Sequence, residues 1–182
     1  MTAPAATLVE DVSRLILDVP DFPQPGILFK DLTPVLADPP AFAGVVDWLA
    51  AVATGDPTGP VTAVVGIESR GFLLGGPLAL RLAVPFLPVR KAGKLPRAVL
   101  EESYELEYGS AILALHADAL PRGGRVLIVD DVLATGGTAA AATALVRRAG
   151  GTVAGVAVLL ELAALGGRPR LAPLPVHALL TG

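Results

Sequence analysis

Two carboxylates followed closely by a glycine turn stand in the segment Val126 to Thr138, VLIVDDVLATGGT. VLIV reads as an apolar strand with Asp130 and Asp131 at its carboxyl end, and AAAATALVRRAG after the turn is a strong helix former. Adjacent glycines, Gly136 and Gly137, let the backbone curl until several N–H groups point inward. The start of the following helix adds the positive end of its dipole. Ala134, Thr135, Gly136, Gly137 and Thr138 thus form a cradle for a dianionic phosphate, with two hydroxyls as extra donors. Asp130 and Asp131 would repel that phosphate. They suit the hydroxyls of a sugar attached to it, and a Mg²⁺ ion. The implied ligand is a ribose 5-phosphate group. No GxxxxGK[ST] or GxGxxG is present, so neither a Walker loop nor a dinucleotide fingerprint explains the segment.

Other residues with chemical potential are scattered. GIESRG, residues 66–71, joins a buried strand to a helix, and its Arg70 offers a planar fork for phosphate oxygens. Arg90, Lys91 and Lys94 lie in RKAGKLPRA, a run without acidic residues that is either a solvated face or an anion site. Glu107 and Tyr108 are a strand-edge pair or part of a working loop. Phe29 is a core residue or a stacking face, in a chain with 4% aromatics. His116 and His177 sit in apolar runs and read as structural histidines, and Trp48 as a helix residue packed on the core.

The elements that must position these groups alternate. Leu8, Val9, Val12, Leu15 and Ile16 recur at helical spacing and predict a helix over residues 5–18. DVPDFPQPG cannot continue it and forms an ordered loop or a hood. Asp38 and Pro39 start a helix that runs to about Ala53. Then come a strand in VTAVVGI, a helix from Gly71 to Leu82, a strand in VPFLPV, the VLIV strand with its helix, and a strand in TVAGVAVLL. The expectation is one α/β domain over residues 1–182, with a parallel-sheet core flanked by helices and ligands at the carboxyl ends of the strands. Residues 1–35 form a helix and a small N-terminal hood, and residues 90–110, polar and least core-like, a flexible loop.

Composition removes several classes. A chain of 182 residues with 53% hydrophobic and 17% charged residues is not disordered. Mean hydropathy is +0.64, yet no run of eighteen apolar residues predicts a membrane span. The first residues do not read as a signal peptide. Zero cysteines exclude a disulfide framework and suit a cytoplasmic protein, and two histidines leave little for a metal cluster. A net charge of -3 gives a broad nucleic-acid face no support.

The Asp130–Thr138 segment resembles the phosphoribosyl pyrophosphate (PRPP) motif of type I phosphoribosyltransferases. DFPQPGILFKD, GIESRGFLLG, PVRKAGKLP, ESYELEYG and VDDVLATGGT occur in the order and spacing of the adenine enzymes of that family, over nearly the whole chain. The resemblance implies Mg²⁺-dependent transfer of ribose 5-phosphate from PRPP to N9 of adenine, giving AMP and pyrophosphate, in a cytoplasmic homodimer. It implies that Glu68, Ser69 and Arg70 hold pyrophosphate, with a cis peptide between Glu68 and Ser69, joined by Lys91 across a dimer interface and by Lys94. It implies that adenine stacks on Phe29 beside Val132 and is read by the backbone of Leu28 and Lys30, a pattern that hypoxanthine would leave unpaired. Lys30 departs from the arginine usual there. Glu107 becomes a candidate catalytic acid beside Arg70, Asp130 and Asp131, Tyr108 a lid residue, and Asp130 the contact to a metal held mostly by substrate. Rival readings are a phosphoribosyltransferase for another base and a PRPP-sensing regulator that binds nucleic acid.

Overall fold

A computed structural model describes residues 4–105, 110–121 and 123–182. The chain opens with α1 (Ala6–Leu15), then β1 (Leu17–Pro20) and β2 (Leu28–Asp31), followed by α2 (Thr33–Ala37) and α3 (Pro39–Thr54). β3 (Ala63–Ile67), α4 (Arg70–Leu82) and β4 (Phe86–Lys91) come next, then β5 (Val99–Glu105) and β6 (Ser110–His116). The last third holds β7 (Arg125–Leu133), α5 (Gly137–Arg148), β8 (Thr152–Glu161), α6 (Gly167–Arg170) and β9 (Val176–Thr181).

Local chemistry explains several boundaries. The Asp38 carboxylate accepts from the Ala41 N–H at 2.9 Å, capping α3 with Pro39 in the first turn. The first helix stops at Leu15 rather than continuing to residue 18, and Ile16 is already extended. Val19 is β-branched and precedes a proline, which disfavours helix there. Leu17–Pro20 instead pairs antiparallel with β2, setting Asp18 opposite Lys30 and Val19 opposite Phe29. The Pro-rich hood is therefore a two-stranded ribbon with its turn between the strands.

The main sheet has seven strands in the order β5-β6-β4-β3-β7-β8-β9. Strands β4, β3, β7, β8 and β9 are mutually parallel as expected. β5 and β6 are not: they form an antiparallel hairpin laid against β4. This corrects the reading of residues 90–110 as loop, since the described part of that span is mostly strand. Leu113 and Leu115 bury completely on one face of the hairpin and provide the apolar area that holds it to the domain.

The alternation of each central strand divides its side chains between two cores. Val64, Leu127 and Val129 pack with Val45, Trp48 and Leu49 of α3 and with Leu74 and Leu78 of α4. Val65, Ile67, Val126 and Ile128 pack with Leu145 and Val146 of α5. Trp48 thus lies in the core as its helical position implied. β3 and β7 are neighbours, yet the chain leaves β3 towards β4 and leaves β7 towards β8. That reversal opens a crevice beyond their carboxyl ends, where an open α/β sheet takes its ligand.

Candidate active site

Both loops singled out by the sequence emerge at this crevice. Together they border a cavity of about 550 Å³ lined by Glu68, Ser69, Arg70, Lys91, Tyr104, Asp130, Asp131, Val132, Ala134 and Thr138. A smaller recess of about 70 Å³ adjoins it, with Thr135 and Gly136 in its wall alongside Asp130, Val132, Ala134 and Thr138. Gly137 faces neither and borders the space under the β5–β6 hairpin.

The Ala134–Thr138 turn takes the shape its residues suggest. Gly136 has φ +78°, a left-handed conformation open to glycine, and caps α5. The first amides of α5 have no acceptor within the helix, so they are available to an anion. Across the crevice, the peptide between Glu68 and Ser69 is cis, at the position that the resemblance implied. Gly71 lets α4 begin against β7: a Cβ there would stand 2.7 Å from the Val129 carbonyl oxygen and 3.1 Å from Asp130 Oδ1.

Arg70 and Glu68 both have charged partners. Arg70 Nε lies 2.6 Å from Asp131 Oδ2, and its guanidinium carbon lies 5.4 Å from the centroid of Phe29. One side chain thus spans the hood, the anion loop and the carboxylates. Glu68 is engaged within the protein. Its carboxylate accepts from Arg90 at 3.2 and 3.4 Å and from the Lys91 N–H at 3.0 Å, so it fastens the loop to the end of β4. Burial opposes ionisation of Glu68, but the Lys91 N–H and the Arg90 guanidinium outweigh it and hold the carboxyl below its ordinary range. Asp130 shows the opposite shift. Burial, reinforced by the Asp131 charge, pushes its carboxyl well above the ordinary range, although Oδ1 accepts the Asp131 N–H at 2.9 Å.

The other candidate residues are spread over the cavity and its surroundings. Lys94 does not line the cavity; it is exposed in the tight turn after β4, where its carbonyl accepts from Arg90 at 3.1 Å. Lys91 borders the cavity of its own chain. Leu28 and Lys30 stand on the hood outside the cavity wall, Leu28 exposed and the Lys30 ammonium turned to Asp18 at 2.6 Å. Phe29 is partly exposed, not a core residue, and packs edge-on against Phe22 at 5.1 Å. Glu107 and Tyr108 lie outside the described residues. Tyr104 is the wall residue that the sequence reading missed. His116 fits its structural role, with Nε2 2.8 Å from the Pro96 carbonyl oxygen.

A family model described as the phosphoribosyl transferase domain matches residues 34–172. Among curated relatives, adenine phosphoribosyltransferase of Streptomyces coelicolor is 58% identical, with all of both chains covered. That of Streptomyces galbus is 57% identical over 96% of this chain and 97% of its own. The fold is similar to the crystal structure of adenine phosphoribosyltransferase from Thermoanaerobacter pseudethanolicus, with a TM-score of 0.91, 46% identity, and 96% of this chain and 99% of that one covered. The Saccharomyces cerevisiae enzyme, solved with adenine and an imino-altritol bisphosphate, gives a TM-score of 0.92 at 41% identity, covering 97% and 100%.

Proposed function

The chain belongs to the phosphoribosyltransferase family, and from that premise we propose that it transfers ribose 5-phosphate from PRPP to N9 of adenine, forming AMP and pyrophosphate. The observation that carries this reading is one cavity bordered by the Glu68–Arg70 and Ala134–Thr138 segments with a pair of carboxylates between them. One loop suits the 5′-phosphate, the other the pyrophosphate, and the carboxylates suit the ribose hydroxyls that lie between.

The reaction breaks the C1–O bond to pyrophosphate, whose oxygen keeps the electron pair, while C1 gains oxocarbenium character. N9 of adenine then bonds to C1, and its proton passes to an oxygen of the departing pyrophosphate. Arg70 and Lys91 would oppose the negative charge growing on the leaving group, as preorganised electrostatic stabilisation. Asp130 and Asp131 would fix the ribose so that C1 faces the base. Glu107 is the candidate acid and Tyr108 the candidate lid residue. On the hood, Phe29 would stack the purine, and the Leu28 and Lys30 backbone would offer one acceptor and one donor to its edge, beside Val132. Lys94 would join the pyrophosphate set from the turn after β4.

The carboxylates fit a Mg²⁺ held chiefly by the substrate's own oxygens with Asp130 as the protein contact. A hard cation that keeps its waters needs only one or two carboxylates, and no group of three or more His, Cys, Asp or Glu gathers among the described residues. When bound, such an ion would neutralise charge on pyrophosphate. The reading carries with it a homodimer in the cytoplasm, which the absence of cysteine suits. No helix among the described residues is long and apolar enough to cross a membrane.

Assays with Mg-PRPP and adenine, hypoxanthine, guanine, uracil or orotate test the reading directly. Adenine is expected to turn over, and turnover of hypoxanthine without adenine would sink it. In the Asp130→Ala/Asp131→Ala variant, turnover should fall by roughly a hundredfold or more while the protein still folds and melts cooperatively. Near-normal rates would remove both carboxylates from the mechanism.

A further inference from the structure

The Ala134–Thr138 turn can hold an anion only while several of its N–H groups converge on one point. A second glycine packs against it. Gly167, buried at the start of α6, lies against the turn with no side chain between the two backbones. A Cβ on Gly136 would stand 2.7 Å from the Gly167 carbonyl oxygen. A Cβ on Gly167 would overlap the Ala134 carbonyl oxygen and stand 2.9 Å from the Gly136 nitrogen.

Gly167 is in turn anchored by the next residue. Arg168 Nε donates to both carboxylate oxygens of Glu161 at 2.9 and 3.1 Å, and its Nη2 donates to Oε2 as well. Its Nη1 donates to the Val176 carbonyl at 2.7 Å. Glu161 is the last residue of β8, 5% exposed, and paired in register with Leu133, the last residue of β7. The Leu162 N–H donates to the Leu133 carbonyl at 2.9 Å. The strand end that launches the turn is therefore bonded to the strand end that anchors α6. Neither Glu161 nor Arg168 borders the cavity.

We propose that Glu161, Arg168 and Gly167 act as positioning residues for 5′-phosphate recognition, forming a brace that keeps the Ala134–Thr138 amides converged. The proposal rests on reading that turn as the phosphate cradle. Breaking the Arg168 fork leaves a buried carboxylate uncompensated and frees α6 to shift. Displacing anion-binding groups by about 1 Å can cost up to about a hundredfold. The cost should fall on ligands that carry the phosphate and spare those that lack it.

The test is calorimetric affinity for AMP and for adenosine in the full-length protein, in wild type, Gly167→Ala, Arg168→Ala, Arg168→Lys and Glu161→Gln. Wild type should prefer AMP; equal affinity for the two would sink the phosphate reading itself, separately from the brace. Given that preference, Gly167→Ala and Arg168→Ala should lower the AMP-to-adenosine affinity ratio about tenfold or more, with adenosine changed less than twofold. Arg168→Lys should fall between them and wild type, since an ammonium cannot reproduce the fork. Should Gly167→Ala not fold, Arg168→Lys and Glu161→Gln decide on the same ratio. An unchanged ratio, or equal loss of both ligands, would overturn the brace.

Discussion

Asp130 holds its proton more tightly in the folded chain than in an unfolded one, because burial and the neighbouring Asp131 charge raise its carboxyl well above 3.8. The folded state therefore binds more protons over that interval, and stability falls as pH rises from the ordinary value to the folded one. Below the ordinary value both states are protonated and the penalty is gone. Asp130→Asn keeps an oxygen to accept the Asp131 N–H and removes the titration. It should melt higher than wild type at pH 7, and the difference should shrink in a melting series carried below pH 4. A variant that melts lower at pH 7 would contradict the raised carboxyl. Lys30 tests the opposite kind of residue. Its ammonium faces Asp18 on the exposed hood ribbon, so Lys30→Ala should cost at most about 1 kcal/mol of stability and leave the choice of adenine over hypoxanthine intact. Relaxed base selectivity would tie the side chain to the base. The Asp pair and the TGGT turn were legible in the sequence because their chemistry is contiguous. The Lys30–Asp18 pair was not, because it depends on strand register across the hood turn. Nor was Tyr104, whose place in the cavity wall follows from the pairing of β5 with β6.

Elements followed the same division. Helices with caps and strands with apolar runs stood out, since their signals are local: Asp38 before Pro39 and the run before Asp130 each mark a boundary without tertiary knowledge. The β5–β6 hairpin did not stand out. Its outer strand reads VLEESYE, a polar, Glu-rich run held by Leu113 and Leu115 buried on the partner strand, with its own Leu100 and Tyr104 packed against the same core. Leu115→Ala should then cost about 2–5 kcal/mol in urea unfolding, whereas a residue on a free loop would lose almost nothing. The first helix failed in the other direction. Its apolar period continued to Ile16, but β pairing took over from Leu17 because the hood strand had a partner to satisfy it.

At the scale of the molecule, an acidic chain of net charge -3 gathers Arg70, Arg90 and Lys91 around one crevice for a polyanionic substrate. Ligand binding to such a site stabilises by mass action, by about 2.7 kcal/mol at a hundredfold excess over Kd. The single tryptophan takes no part in this. Trp48 is 6% exposed within the α1/α3/α4 core, does not border the cavity, and its indole N–H has no hydrogen-bond partner among the described residues. Its emission should therefore be blue-shifted, hold its wavelength when AMP is titrated in, and move to the red only on denaturation. The chain thus carries an optical probe that separates loss of binding from loss of folding. With it, a brace variant that no longer favours AMP can be distinguished in the same cuvette from one that has merely come apart.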